Sequence, residues 1–302
     1  MKWIIFSNNQ DFSKQVSDTI ILKDKKNKCI LCDSEIENLL KQKKVLKDCA
    51  ACFIFSDNES KLSTDLKTIL SSIYGYLGSD KIPVLTNLKF LINNAFFSVD
   101  GLISCNSIED IINYVNKNYK KIISGSVIRL SKKKLLDKGI PFTSDCFGTY
   151  IAKNKVEIVN EFLKANMSIN SRDDMGVPML NIACRNDNFE FVEMFLDLGA
   201  DINATSDDRG YTAVMDAVWR GNEKITKFLI DKGADLNTIN KEGQTNLILA
   251  VGANRESLVQ LLAENGADPD VTDGMGMSAY TYATLFKKEK LVEILKPYHK
   301  SL

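Results

Sequence analysis

Apolar and polar residues alternate along this chain in two different ways. Up to residue 123, short apolar runs rich in β-branched, aromatic or cysteine residues stand at Trp3–Ser7, Lys28–Cys32, Cys49–Ser56, Ile82–Thr86 and Gly101–Cys105. Longer, more polar stretches lie between and after them, at Asp11–Ile21, Ser34–Lys44, Thr64–Leu77, Leu88–Ser98 and Ile108–Tyr119. In the last of these, Ile111, Ile112 and Val115 mark one helical face. Five strands alternating with five helices predict a parallel sheet covered on both sides. Ligands of such sheets sit beyond the carboxyl ends of the strands. That places a possible small-ligand pocket at Asn8, Asn9, Asp57, Asn58 and Glu59, in the loops Ser7–Asp11 and Ser56–Ser60.

Beyond that point the pattern becomes periodic. Gly199-Ala200-Asp201, Gly233-Ala234-Asp235 and Gly266-Ala267-Asp268 recur at intervals of 34 and 33 residues, and Asn166–Asn170 fills the same slot one interval earlier. Gly176, Gly210, Gly243 and Gly276 keep step with them, as do Ala183, Ala217, Ala250 and Ala283. One unit explains the residue types. Asp207 to Gly210 makes a tight turn, and Thr212 then caps a short helix through Ala217 to about Arg220. Gly221-Asn222 turns the chain into a second helix with Ile225, Phe228 and Leu229 on one face, and Gly233 stops it. Two apolar ladders, Ile158, Phe191, Ile225, Leu258, Leu291 and Phe162, Phe195, Leu229, Leu262, Leu295, run through the units. A helix pair this small cannot bury its own apolar face, so the units must stack.

These units resemble ankyrin repeats, matching the family's Asp-x-x-Gly-x-Thr-Pro-Leu-His opening and Gly-Ala-Asp-x-Asn close. Five begin near Asp145, Pro178, Thr212, Thr245 and Ser278, after a half-unit at Leu135–Gly139. The expected organisation is therefore a flavodoxin-like α/β domain over 1–123 and an all-α ankyrin-repeat solenoid over 124–302. The family's His is replaced by Asn181, Met215, Ile248 and Thr281, which implies that its hydrogen-bond network is lost, and the family's Pro is missing from the second helical position. The resemblance implies a module that binds a partner protein through a concave face of turn tips and first helices. Carried over by position, that face holds Asp174, Met175 and Arg185, then Asp208, Arg209, Tyr211, Trp219 and Arg220, then Lys241, Glu242 and Gln244, and last Met275, Met277 and Phe286. Tyr211, Trp219 and Arg220 are of the types that dominate interface energies. Trp219 could instead pack against a neighbouring helix, and Met275 and Met277 serve equally as core filler or adaptable contact.

The first domain resembles a response-regulator receiver through its length and Ile82–Thr86. Ser7-Asn8-Asn9 stands where that family has a carboxylate pair and Ser104-Cys105-Asn106 where it has a Lys, leaving Asp57 alone. It also resembles nucleoside deoxyribosyltransferases and TIR-like domains through Ile73–Tyr76 ahead of Ile82-Pro83-Val84, but Thr64–Leu77 has no Glu for the catalytic position and only Asp65 as a carboxylate. Both resemblances imply a sheet whose usual chemistry is missing, so a binding protein rather than an enzyme is expected. The alternative is an enzyme or nucleotide sensor at the sheet's carboxyl edge, targeted by the repeats.

Composition narrows the remaining chemistry. Net charge is zero, yet residues 1–134 hold 21 Lys/Arg against 14 Asp/Glu and residues 135–302 hold 18 against 25. The basic excess is dispersed Lys without interleaved aromatics, and the acidic half repels phosphates, so no nucleic-acid partner is expected. No run approaches the roughly 20 apolar residues of a membrane span. Seven cysteines, mostly in apolar runs, suit reduced thiols in a cytoplasm. Cys29-x-x-Cys32 and Cys49-x-x-Cys52 have zinc-like spacing, but both lie in strands that a 2-1-3 order keeps apart, so buried thiols and no metal are expected. Dinucleotide, P-loop and calcium-loop signatures are absent, and no cofactor is expected. The single histidine, His299, is expected to be a solvated tail residue.

Overall fold

A computed structural model describes residues 1–7, 10–32, 49–55, 82–86, 102–105 and 107–300. The chain divides into two compact units, Met1–Lys133 and Lys134–Leu302.

In the first unit, β1 (Lys2–Ser7), β2 (Lys28–Cys32), β3 (Cys49–Phe55), β4 (Val84–Thr86) and β5 (Leu102–Ser104) form one parallel sheet in the order β2-β1-β3-β4-β5. The flavodoxin-like sheet is thus present, and its central strands β1 and β3 are buried along almost their whole length. That burial is why they read as unbroken apolar runs rather than as alternating ones. Trp3 stacks on Phe53 at 6.1 Å and on Tyr119 at 6.0 Å, and Phe12 stacks on Phe55 at 4.3 Å. The helix Gln10–Lys23 adds Val16 and Ile20 to this core, and the helix Ile108–Asp137 adds Ile111, Val115 and Ile122. β1 separates the two Cys-x-x-Cys strands, with Cys29 opposite Trp3 on one side and Cys52 opposite Ile4 on the other. The expected helices Ser34–Lys44, Thr64–Leu77 and Leu88–Ser98 lie outside the described residues, as do the loop residues Asn8, Asn9, Asp57, Asn58 and Glu59.

The break expected after residue 123 falls inside one continuous helix, Ile108–Asp137. Ser126 and Ser131 are buried in that helix, as are the apolar Ile122 and Leu135. Small polar residues on a buried helical face let the helix run on past Gly125.

The second unit is a succession of helix pairs: Ser144–Ala152 with Val156–Lys164, Met179–Arg185 with Phe189–Asp197, Ala213–Arg220 with Glu223–Asp231, Asn246–Gly252 with Glu256–Glu264, and Ala279–Leu285 with Glu289–Leu295. Hydroxyls of Thr143, Thr212, Thr245 and Ser278 cap the first helices by accepting from Cys146, Met215, Ile248 and Thr281 amides. Pro178 takes that place in the second pair, without a side-chain bond. The alanine ladder and the ladder from Phe162 to Leu295 are fully buried. Ile158 is only half-buried, and its neighbour Val159 fills the core in that unit.

Two ladders of polar contacts join successive units. At the turn tips, the amides of Asp207 and Lys241 donate to the carbonyls of Gly176 and Arg209, each at 3.1 Å. Gly243 has φ +79°, and a Cβ there would stand 2.6 Å from the next tip's Gly274 nitrogen, so glycine is required on both counts. At the other ladder, Asn170, Asn203 and Asn237 accept through Oδ1 from the amides of Asp201, Asp235 and Asp268, at 2.9, 2.9 and 2.8 Å. The Asn that closes each Gly-Ala-Asp-x-Asn motif is therefore the bolt to the following unit.

Candidate protein-binding face

The turn tips and first helices of the repeat unit carry the residues nominated from sequence, but they are of two kinds. One kind is tied into the stack. Arg185, partly buried at the end of its helix, donates through Nε to Asp216 Oδ1 at 2.8 Å and through Nη1 and Nη2 to the two oxygens of Asp208 at 2.8 and 3.0 Å. Its hydrogen bond holds the Asp208 carboxyl well below the usual carboxylate range. Asp216 is 1% exposed; burial pushes its carboxyl up, against the pull of Arg185 and Asn181. Arg209 adds a longer contact to Asp216 at 3.5 Å. Asn181 completes the node, donating to Asp216 Oδ2 at 2.9 Å and to the Tyr211 carbonyl at 2.8 Å. The hydrogen-bond network expected to be lost with the family's His is therefore retained at this junction, because the carboxamide reaches the next unit in its place. Arg185 and Asp208, expected to be open to a partner, largely neutralise each other.

Tyr211 also departs from expectation. It is 5% exposed rather than on the surface, with the Arg209 guanidinium 4.4 Å over its ring and the Trp219 ring set edge-on at 6.5 Å. Its aromatic body is apolar enough to seal the turn beneath Trp219.

The second kind is open. Trp219 is 52% exposed, Met175 63%, Met275 78% and Phe286 60%. Asp174, Arg220, Lys241 and Glu242 are exposed, whereas Gln244 and Met277 are half-buried. The Asp174 amide donates to Asp145 Oδ1 at 2.7 Å, Arg220 pairs with Asp187 at 3.2 Å, and Lys241 donates to the Asp207 carbonyl. Gln244 is spent on the turn, its amide and Oε1 both meeting Asn240. The sequence reading passed over Leu285, 61% exposed, and the exposed Gly252 and Arg255. The signal was available, since Trp219, Gly252 and Leu285 each stand two residues after an alanine of the buried ladder.

His299 is not the free tail residue expected. Its ring stacks on Tyr280 at 3.8 Å and its Nδ1 lies 2.5 Å from Asp270 Oδ1. Asp270 occupies the slot of Asn170, Asn203 and Asn237, and its Oδ2 takes the Lys300 amide at 2.8 Å, as those asparagines take the next unit's amide. Residues 299 and 300 thus dock on the last helix pair where a further repeat would.

In the sheet unit, a cavity of about 350 Å3 lies beside the carboxyl end of β1, lined by Ser7, Gln10, Ser13, Lys14, Ser17, Asp18 and Leu31. Among the described residues no group of three or more His, Cys, Asp or Glu side chains could hold a metal ion, and no helix is long and apolar enough to cross a membrane.

Comparison with known proteins bears on the repeat unit. Residues 149–240 match a family model described as ankyrin repeats in three copies, and residues 229–283 match one described as ankyrin repeats in many copies. The chain is 35% identical over 121 residues to an ankyrin repeat-containing protein of Treponema pallidum, covering 40% of this chain and 41% of that protein. It is 30% identical over 114 residues to protein phosphatase 1 regulatory subunit 27 of Mus musculus, covering 37% and 73%. An ankyrin repeat protein of Borreliella burgdorferi is 26% identical over 182 residues, covering 60% and 74%. The matched segment spans less than half the length of the Treponema protein and 24% of dauer abnormal formation protein 25 of Caenorhabditis elegans. With the stacked helix pairs, the tip ladder and a mouse relative matched over most of its length, this chain belongs to the ankyrin-repeat family.

Proposed function

We propose that the chain is a binding module that holds a partner protein through the turn tips and first helices of its repeats, with Trp219 and Arg220 as anchors. The observation that carries this reading is Trp219 itself: a large indole left 52% exposed on a braced helix end, in the middle of a stack. Exposed tryptophan on a rigid surface loses little entropy when covered, which is why it recurs among interface hot spots. Met175 and Met275, both at turn tips, extend the apolar contact and adapt to its shape. Family membership supports binding rather than catalysis, and the chain's one imidazole is already engaged by Asp270 and Tyr280.

The test is a pull-down with the full chain, followed by affinity measurement on the captured protein. The double change Trp219→Ala and Arg220→Ala should cost at least ~2 kcal/mol, about a thirtyfold loss. Because Trp219 is half-exposed, circular dichroism should be unchanged. Undiminished binding by the folded double mutant would place the contact elsewhere.

A further inference from the structure

We infer that the third to fifth repeats form a seat for a peptide segment carrying one bulky apolar side chain flanked by carboxylates. The inference rests on the binding face proposed above and adds the chemistry of what it binds.

The apolar half of the argument comes from register. The slot two residues past each ladder alanine holds Trp219 in the third repeat, Gly252 in the fourth and Leu285 in the fifth, and the next slot holds Arg220, Ala253 and Phe286. All six are exposed. Two contacts fix the three helix ends side by side: a Cβ at Gly221 would meet the Arg255 guanidinium at 2.8 Å, and Lys288 Nζ donates to the Val251 carbonyl at 2.7 Å. The surface therefore runs from an indole, across two residues with almost no side chain, to a leucine and a phenyl ring. A Cβ built at Gly252 meets nothing within 4 Å, so the space over it is open. Both walls are braced from behind. Tyr211 sets its ring edge-on to Trp219, and Tyr282 stacks on Phe286 at 5.9 Å while its hydroxyl donates to Asp273 at 2.7 Å. A notch with preset walls takes an inserted side chain at low ordering cost.

The charge half comes from the rim. Arg220, Arg255 and Lys287 follow the notch residues in consecutive repeats. Only Arg220 has an acidic partner, Asp187; Arg255 and Lys287 have none among the described residues. Of the glutamates nearest in sequence, Glu223 accepts from Ser257 and Glu256 pairs with Lys290, while Glu289 is exposed two residues after Lys287. This basic rim sits in a region that is otherwise acidic, 18 Lys/Arg against 25 Asp/Glu over residues 135–302, so it selects carboxylates locally while the surrounding field opposes a polyphosphate backbone.

The experiment screens the full chain against an array of decapeptides of varied composition, with a single-stranded RNA of similar length as a second probe. Selected peptides should carry Leu, Phe or Trp within three residues of Asp or Glu. Gly252→Phe fills the notch and should weaken them by about tenfold or more, as should the double reversal Arg255→Glu with Lys287→Glu. Gly252 lies in a helix with open space at its Cβ, so this variant should melt no lower than the parent. Preference for basic or charge-indifferent peptides, or competition by the RNA at the same residues, overturns the inference. Binders that respond to Trp219→Ala with Arg220→Ala but not to Gly252→Phe overturn it while leaving the binding face intact. An array with no binder at all overturns both.

Discussion

A guanidinium that serves two carboxylates of the neighbouring repeat is hard to replace. Arg185 spans from Asp208, at 2.8 Å, to Asp216, at 2.8 Å, and Asp216 is all but sealed from water. Truncation to Ala would leave a buried carboxylate with Asn181 and a distant Arg209 as its remaining partners. Arg185→Ala should therefore cost about 3 kcal/mol, read as a fall in the urea midpoint, and Arg185→Lys should recover only part of it, because an ammonium cannot fork to both acids. Little of this was legible from sequence. Position alone put Arg185, Asp208 and Tyr211 on the open face, since a repeat template says which slots scaffolds leave free and nothing about what fills them from the next unit. Arg185 and Asp208 are 23 residues apart, an offset that no helical or strand period singles out. Trp219 was readable because its slot is open whatever its neighbours are.

At the scale of the helix, the repeat is legible because its punctuation has few physical alternatives. Thr or Ser caps, positive-φ glycines and small buried alanines recur where the stack needs them, and the first helix of each pair begins within a residue or two of the expected start of its unit. The helix Ile108–Asp137 outruns the expected Ile108–Tyr119, because its buried face of Ile111, Val115, Ile122, Ser126, Ser131 and Leu135 continues across Gly125. Leu229, fully buried in the middle of an apolar ladder, should cost 2–5 kcal/mol when cut to Ala, and the loss should appear in the unfolding of the whole repeat unit because each pair is held by its neighbours. The last pair has its own acid sensitivity. Desolvation pushes the Asp270 carboxyl up, but the Lys300 amide and His299 outweigh it and carry it below the ordinary carboxylate range. A depressed carboxyl lends stability above the unfolded value of about 4 and loses it as pH falls through the folded one. The Lys300 amide and the single imidazole should therefore lose their docked NMR shifts on acidification from pH 5 toward 2. Asp270→Asn, which restores the side chain used at the other three junctions, should keep the Lys300 amide in place and flatten that response.

For the molecule as a whole, the two units answer to different rules of reading. The sheet announced itself through continuous apolar strands, while the residues nominated for a ligand beside it rested on the general geometry of parallel sheets, with no charged pair or glycine loop to sharpen the choice. The repeats announced their fold, because a solenoid is built from the same slots over and over, and the face proposed for binding was nominated from those slots. One consequence follows from where the chain keeps its indoles. There are two tryptophans, Trp3 sealed between Phe53 and Tyr119 in the sheet, and Trp219 half-open on the repeats. The protein thus carries a separate optical reporter in each unit. Trp3→Phe should leave an emitter that acrylamide quenches readily and that shifts to the blue when the face is occupied. Trp219→Phe should leave one that resists quenching and brightens or dims only when the sheet comes apart. Equal quenching of the two single-tryptophan variants would contradict this assignment; unequal quenching would let occupancy and unfolding be followed in one cuvette, by colour, without any added label.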